Sequence, residues 1–180
     1  MIYSLPNILT YVRIALIPVV VAAFYMDGRT SHLVASGLFL VASITDYLDG
    51  WLARLWQQES SLGRFLDPIA DKLLVAAALM MLVHFERADV IPAILILCRE
   101  IMVSGLREFL AEIKVSVPVS RLAKVKTGVQ MTAIFLLLLG AKGSGFHIVE
   151  TLGSIALWIA AVLTVVTGYA YLKAGVAHMK

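Results

Sequence analysis

Charge is what this chain has least of. Asp, Glu, Lys and Arg make up 15% of its 180 residues, against about 25% in ordinary soluble domains. With 61% hydrophobic residues and a mean hydropathy of +0.91, that is the composition of a membrane protein. There is one cysteine, Cys98, so no internal disulfide forms, and a small apolar packing role is expected for it. Met1–Pro6 carries no basic residue, so a cleavable signal peptide is not expected. The sequence has no Walker-type phosphate loop, no zinc-ligand spacing and no Ser/His/Asp grouping. Internal repeats, low-complexity segments and linkers are missing too, as is the strict alternation of a β-barrel. A single domain over residues 1–180 is the expectation.

What is present is a succession of apolar runs, each about 20 residues, the length that spans a bilayer as a helix. They fall near 7–26, 32–55, 65–84, 89–111, 119–141 and 147–172. The predicted fold is therefore all-α, a polytopic membrane protein with six transmembrane helices. Basic residues set the orientation. Twelve (Arg13, Arg54, Arg64, Lys72, Arg99, Arg107, Lys114, Arg121, Lys124, Lys126, Lys173 and Lys180) fall to the side holding both termini, and three (Arg29, Arg87 and Lys142) to the other. The positive-inside rule makes the first side cytoplasmic.

The stretch 46–71, DYLDGWLARLWQQESSLGRFLDPIAD, organises the rest. Asp46 and Asp49 are three residues apart and Asp67 and Asp71 four, so each pair projects from one face of a helix. Gly50 and Ala53 continue the first face and Gly63 leads the second, leaving room for a ligand or a facing backbone. Ionisable groups at membrane spans are costly and default to function. Four adjoining aspartates repel one another and stay ionised together only beside cations. Carboxylate oxygens suit hard divalent ions, Mg²⁺ or Mn²⁺.

Other polar positions leave alternatives open. Arg13 is either a snorkelling anchor or a phosphate contact. Pro68 either starts the third helix or bends it at the acids. Arg99 and Arg107, about two turns apart, form either internal pairs or an anion-binding wall. Arg121, Lys124, Lys126 and Thr127 make a patch that attracts anionic lipid or, beside an acidic metal site, binds phosphate. Trp51 and Trp56 fit an interfacial belt. His32, His84, His147 and His178 read as interfacial, and Gly140, Gly143 and Gly145 as a turn outside the membrane. Acids with basic walls at a cytoplasmic interface point to chemistry on a phosphorylated lipid, in which an aspartate takes a proton from an attacking hydroxyl. Asp71, last in the series, is the expected base.

The pattern Asp46-x-x-Asp49-Gly50-x-x-Ala53-Arg54, eight residues, then Gly63-x-x-x-Asp67-x-x-x-Asp71 resembles the complete signature of the CDP-alcohol phosphatidyltransferase family. That resemblance implies six transmembrane helices, a homodimer, a site at the cytoplasmic face and two divalent cations. It implies that Asp46, Asp49, Asp67 and Asp71 are metal ligands, Asp71 also the base. Asp46, Asp49, Gly50, Ala53, Arg54, Gly63 and Asp67 would bind the CDP-lipid, the small residues lining a cytidine slot and Arg54 approaching the diphosphate. Pro6-Asn7-x-Leu9-Thr10-x-x-Arg13, Arg99-Glu100-Ile101, Ser104-x-Leu106-Arg107-Glu108 and Lys124-Val125-Lys126-Thr127-x-x-Gln130-Met131 are similar to the branch that makes phosphatidylglycerol phosphate. Together the likeness covers roughly residues 5–131. It implies CDP-diacylglycerol and sn-glycerol 3-phosphate as substrates, with Arg107, Lys124, Lys126, Arg13, Arg121 and Thr127 toward the acceptor phosphate. One position departs: Ala123 stands where the motif has Gly, and its methyl group narrows an acceptor pocket.

Two rivals are carried forward. The same chemistry with phosphatidylglycerol, serine or an inositol phosphate keeps the family and changes the acceptor. A divalent-cation transporter would also place carboxylates in a membrane, but the acids sit at one face only and no inverted repeat is evident. Nothing in the sequence points to nucleic acid. The expected location is a bacterial inner membrane.

Overall fold

The structure, a computed structural model, describes residues 5–56, 61–115 and 120–177, with the side chains of 5–7, 47–56, 61, 62, 64, 65 and 177 outside the description. Among the described residues there are six helices and no strand: α1 Leu5–Ala23, α2 Gly28–Trp56, α3 Ser61–His84, α4 Val90–Glu112, α5 Arg121–Ser144 and α6 His147–Ala177. Apolar runs without polar partners satisfy their backbone groups only by closing into helices, and the turns fall where the runs break. Gly28 begins α2 with φ +54 and Gly145 ends α5 with φ +83, left-handed conformations that glycine adopts without a Cβ clash. The Ser120 hydroxyl caps α5 by accepting from the Ala123 amide at 3.2 Å, which satisfies one of the free amides of its first turn.

The helices pack α5 on α6, α1 on α2 and α3, α4 on α6, and α2 on α5, with lesser contacts of α3 to α2, α4 and α5. Small residues line these seams: Ala35, Ala42, Ala78, Ala133 and Ala160 have no exposed surface, interleaved with Phe39, Leu79, Leu82, Ile134 and Leu138. Gly153 shows how close the approach is, since a Cβ there would stand 3.1 Å from the Leu137 backbone nitrogen. Outward, the order of sizes reverses. Ile94, Ile101, Met80, Val162, Val165, Val166 and Tyr169 are exposed, a surface that water-soluble chains rarely present and one that close helix packing inside a bilayer accounts for. Two helices, Arg121–Ser144 and His147–Val176, are long and apolar enough to cross a membrane on their own composition.

The bundle has two ends. At one, the turns after α1, α3 and α5 meet: the Arg29 side chain donates to the Gly143 carbonyl at 3.2 Å, and Arg87 lies over the Phe24 and Phe85 rings. The other end gathers the start of α1, the end of α2 and the starts of α3 and α5, and holds the acids.

Several expectations change. α3 begins at Ser61, so Pro68 lies inside it and does not start it. Cys98 is exposed, because α4 turns that position outward, and it fills no core gap. His32 is buried and its Nδ1 lies 3.0 Å from the Leu138 carbonyl, so it joins α2 to α5 from inside a helix and is not a loop residue. Gly140 interrupts α5 with φ 54 and ψ −172, and Gly143 packs against His32, where a Cβ would stand 3.0 Å from its side chain. Of the three glycines read as a turn, only Gly145 makes one. Trp51 and Trp56 lie on α2 outside the described side chains.

Candidate active site

Three helices bring the described acids together, and α1 orders them. Arg13 NH1 stands 2.5 Å from Asp46 Oδ1, with the Arg13 side chain 0% exposed and that of Asp46 39% exposed. One turn earlier on the same face of α1, the Thr10 hydroxyl donates to Asp67 Oδ1 on α3. A single helix therefore engages one acid of each predicted pair. Asp46 also feels the charge of Asp67, and Asp71 feels Asp46, Arg13, Glu100 and Lys126. Asp46, Asp67 and Asp71 thus share one electrostatic neighbourhood. Like charges that share a neighbourhood repel, which favours cations beside them, and Arg13 supplies one from within the chain.

The Arg13 side chain is too deeply buried to snorkel. Its guanidinium reaches a carboxylate, which accounts for a charged residue in the middle of an apolar run. Gly63 is buried as well, close to the acids on α3. Asp49, Gly50, Ala53 and Arg54 lie on α2 outside the described side chains.

The second wall of the site comes from α4 and α5. Lys126 is buried and donates to Glu100 Oε1 and to Gln130 Oε1 at 3.1 Å. Lys126 and Gln130 are one turn apart on α5, the spacing at which helix side chains meet. The Lys72 ammonium donates to the Ser104 hydroxyl, joining α3 to α4. Of the remaining predicted acceptor residues, Arg107 stacks over the Tyr171 ring at 5.0 Å and donates to its hydroxyl at 3.1 Å. Arg121, Lys124 and Thr127 are exposed on the first two turns of α5, and the Thr127 hydroxyl donates back to the Ala123 carbonyl. Ala123 itself is buried. Among the described residues, then, Lys126 is joined to the acids' neighbourhood, while the described contacts of Arg107 and Thr127 run to Tyr171 and Ala123.

Thr10, Glu100, Gln130 and Tyr171 were given no role from the sequence. Thr10 and Arg13 share a helix face, which is a readable signal for the first. Glu100 pairs with its sequence neighbour Arg99 at 3.3 Å, the internal pairing open to Arg99 from the sequence. Its partner Lys126 and the Tyr171 partner Arg107 lie on other helices, where no spacing rule reaches.

The donor set fits hard divalent cations. It is all carboxylate oxygen, drawn from two helices, in a place whose repulsion calls for positive charge. Among the described residues no three such groups already close into a cage, and Asp49 lies outside them.

The sequence profile of the CDP-alcohol phosphatidyltransferase family matches residues 3–166. The chain is 54% identical over 171 residues to the CDP-diacylglycerol–glycerol-3-phosphate 3-phosphatidyltransferase of Rickettsia felis, covering 95% of this chain and 94% of that one. It is 44% identical over 176 residues to the enzyme of the same name from Pectobacterium atrosepticum, covering 96% and 94%. Against that of Pseudomonas fluorescens it is 41% identical over 182 residues, covering 98% and 92%. With a match across most of its length and its acids gathered at one end of a helical bundle, this chain belongs to the CDP-alcohol phosphatidyltransferase family.

Proposed function

We propose that this enzyme transfers the phosphatidyl group of CDP-diacylglycerol to sn-glycerol 3-phosphate, giving phosphatidylglycerol phosphate and CMP. Relatives at 41–54% identity over nearly the whole chain carry that activity in their names. The observation in the molecule that supports it most is that one helix, α1, engages Asp46 through Arg13 and Asp67 through Thr10, with Asp71 in the field of Asp46 and of the buried Lys126. Acids there serve a diphosphate through cations, and a buried cation beside them serves a second phosphate.

In this reading Asp46, Asp49, Asp67 and Asp71 would hold two divalent cations, Mg²⁺ or Mn²⁺, which when bound neutralise the diphosphate and polarise the lipid-bearing phosphorus. The chain's own residues do the rest. Gly50, Ala53 and Gly63 leave a slot for cytidine, and Arg54 faces the diphosphate. Lys126 holds the acceptor phosphate on the α4–α5 wall, with Arg107 beyond it, and Lys124 adds only attraction from the exposed rim. Asp71 takes the proton from the primary hydroxyl of glycerol 3-phosphate as that oxygen attacks the phosphorus, and the bond to CMP breaks in line. Arg13, tied to Asp46, orders the acids and does not serve the acceptor; Arg121 and Thr127 stay at the rim.

The chain forms one domain of six membrane-spanning helices, with its site and both termini on the cytoplasmic side of a bacterial inner membrane, and works as a homodimer. The excess of basic residues at the acid-bearing end supports that orientation.

The test is CMP release by purified protein in detergent with CDP-diacylglycerol and Mg²⁺ or Mn²⁺. Glycerol 3-phosphate, phosphatidylglycerol, serine and inositol phosphate are compared as acceptors. Release that requires glycerol 3-phosphate and metal is expected. Release driven by another acceptor moves the enzyme to a different branch, and no release from folded protein overturns the proposal.

A further inference from the structure

Glu100 has no part in the scheme above, yet it is the carboxylate on which the α4–α5–α6 wall is tied. Its Oε1 accepts from Lys126 Nζ on α5 and, at 3.3 Å, from Arg99 NH1 on its own helix. Lys126 makes its other bond to Gln130, and Arg99 makes its other to the Thr167 hydroxyl on α6, at 3.3 Å. Gly168 leaves space for that crossing, because a Cβ there would stand 3.0 Å from Arg99 Cγ. Side-chain exposure is 3% for Lys126, 9% for Arg99 and 20% for Glu100, so the two cations lie deeper than the carboxylate that joins them.

The charges do not cancel. One carboxylate faces two cations, and among the described residues a further anion in the field of Lys126 is Asp71, which feels both Glu100 and Lys126. A buried ammonium goes to the best anion within reach. With Glu100 in place that anion is Glu100; without it, Asp71 is next.

We propose that Glu100 is a positioning residue: it holds the Lys126 ammonium on the α4–α5 wall and off Asp71, so that Lys126 meets the acceptor's phosphate and the Asp71 carboxylate stays open to the acceptor's hydroxyl. This rests on the function proposed above, in which those two groups contact the acceptor.

Glu100→Gln keeps the shape and one acceptor oxygen and removes the charge. The KM for glycerol 3-phosphate is expected to rise about tenfold, equivalent to about 1.4 kcal/mol, with the KM for CDP-diacylglycerol changed by less than about twofold. A purely structural role would raise both constants together. Glu100→Asp, which restores the charge on a shorter stem, is expected to recover part of the acceptor KM. The variant Glu100→Gln/Lys126→Met is expected to match Lys126→Met alone, since Glu100 acts through that lysine. Because it removes both charges together, this pair keeps the comparison available if Glu100→Gln alone does not fold.

An unchanged acceptor KM in Glu100→Gln, no recovery in Glu100→Asp, or losses that add in the double variant would each overturn the inference while leaving the proposed function standing. A wild-type enzyme that ignores glycerol 3-phosphate in the same assay would overturn both.

Discussion

Arg13 and Asp46 meet at 2.5 Å, a fully buried guanidinium from α1 against a half-buried carboxylate from α2. The pair performs part of the neutralisation that divalent cations would otherwise provide, so its importance to the fold depends on whether they are bound. Arg13→Met is expected to lower the melting temperature by a few degrees in chelator, the effect of losing about 1–3 kcal/mol. In saturating Mn²⁺ the drop is expected to be smaller. Melting curves of the detergent-solubilised protein with and without metal check this; equal drops in both conditions would count against it.

Asp71→Asn removes the group assigned to take the acceptor proton while preserving size. We expect kcat to fall by at least about 100-fold, with the protein still folded by circular dichroism. CMP release at saturating substrates measures it, and near-normal turnover would reassign the base.

Lys124 and Lys126 are two residues apart and differ in setting: Lys124 is exposed and Lys126 is held between Glu100 and Gln130. Lys126→Met is expected to raise the acceptor KM by on the order of 10- to 100-fold, the scale of a lost charge-assisted bond. Lys124→Met should change it by less than about threefold. Steady-state titrations of glycerol 3-phosphate separate the two, and an inverted order would place the phosphate at the rim.

Glycines of α5 and α6 should split by surroundings. At Gly128 nothing stands within 4 Å of a new Cβ, so Gly128→Ala is expected to stabilise by about 0.5–1 kcal/mol through helix propensity. Gly153→Val should instead force α6 away from the Leu137 backbone and destabilise by about 1–3 kcal/mol. Thermal melts report both signs directly.

The helices were legible because uninterrupted apolar runs leave the backbone one way to satisfy itself, and the expected span ends fall within a few residues of most helix ends. That Asp46 and Asp67 are neighbours of one helix was in part legible, because helical spacing and the cost of charge in an apolar sequence single out the aspartates; Asp49 lies outside the described side chains. What spacing could not give was any contact between helices. Arg13 was left between two roles because its partner, Asp46, lies on α2. Cys98 was misjudged because composition says nothing of which face of α4 turns outward. His32 and Gly143 were misplaced for a related reason: each is explained by the other, on helices far apart in sequence.

The link between Arg13 and Asp46 also bears on how the chain is made. Their helices are consecutive in the sequence, so the pair needs only that hairpin to form. Asp67 and Asp71 follow on α3, where Thr10 is already waiting for Asp67. Lys126 emerges only after all of α4 and the first turn of α5. In chain order, then, the acids and the arginine beside one of them come before the lysine of the α4–α5 wall.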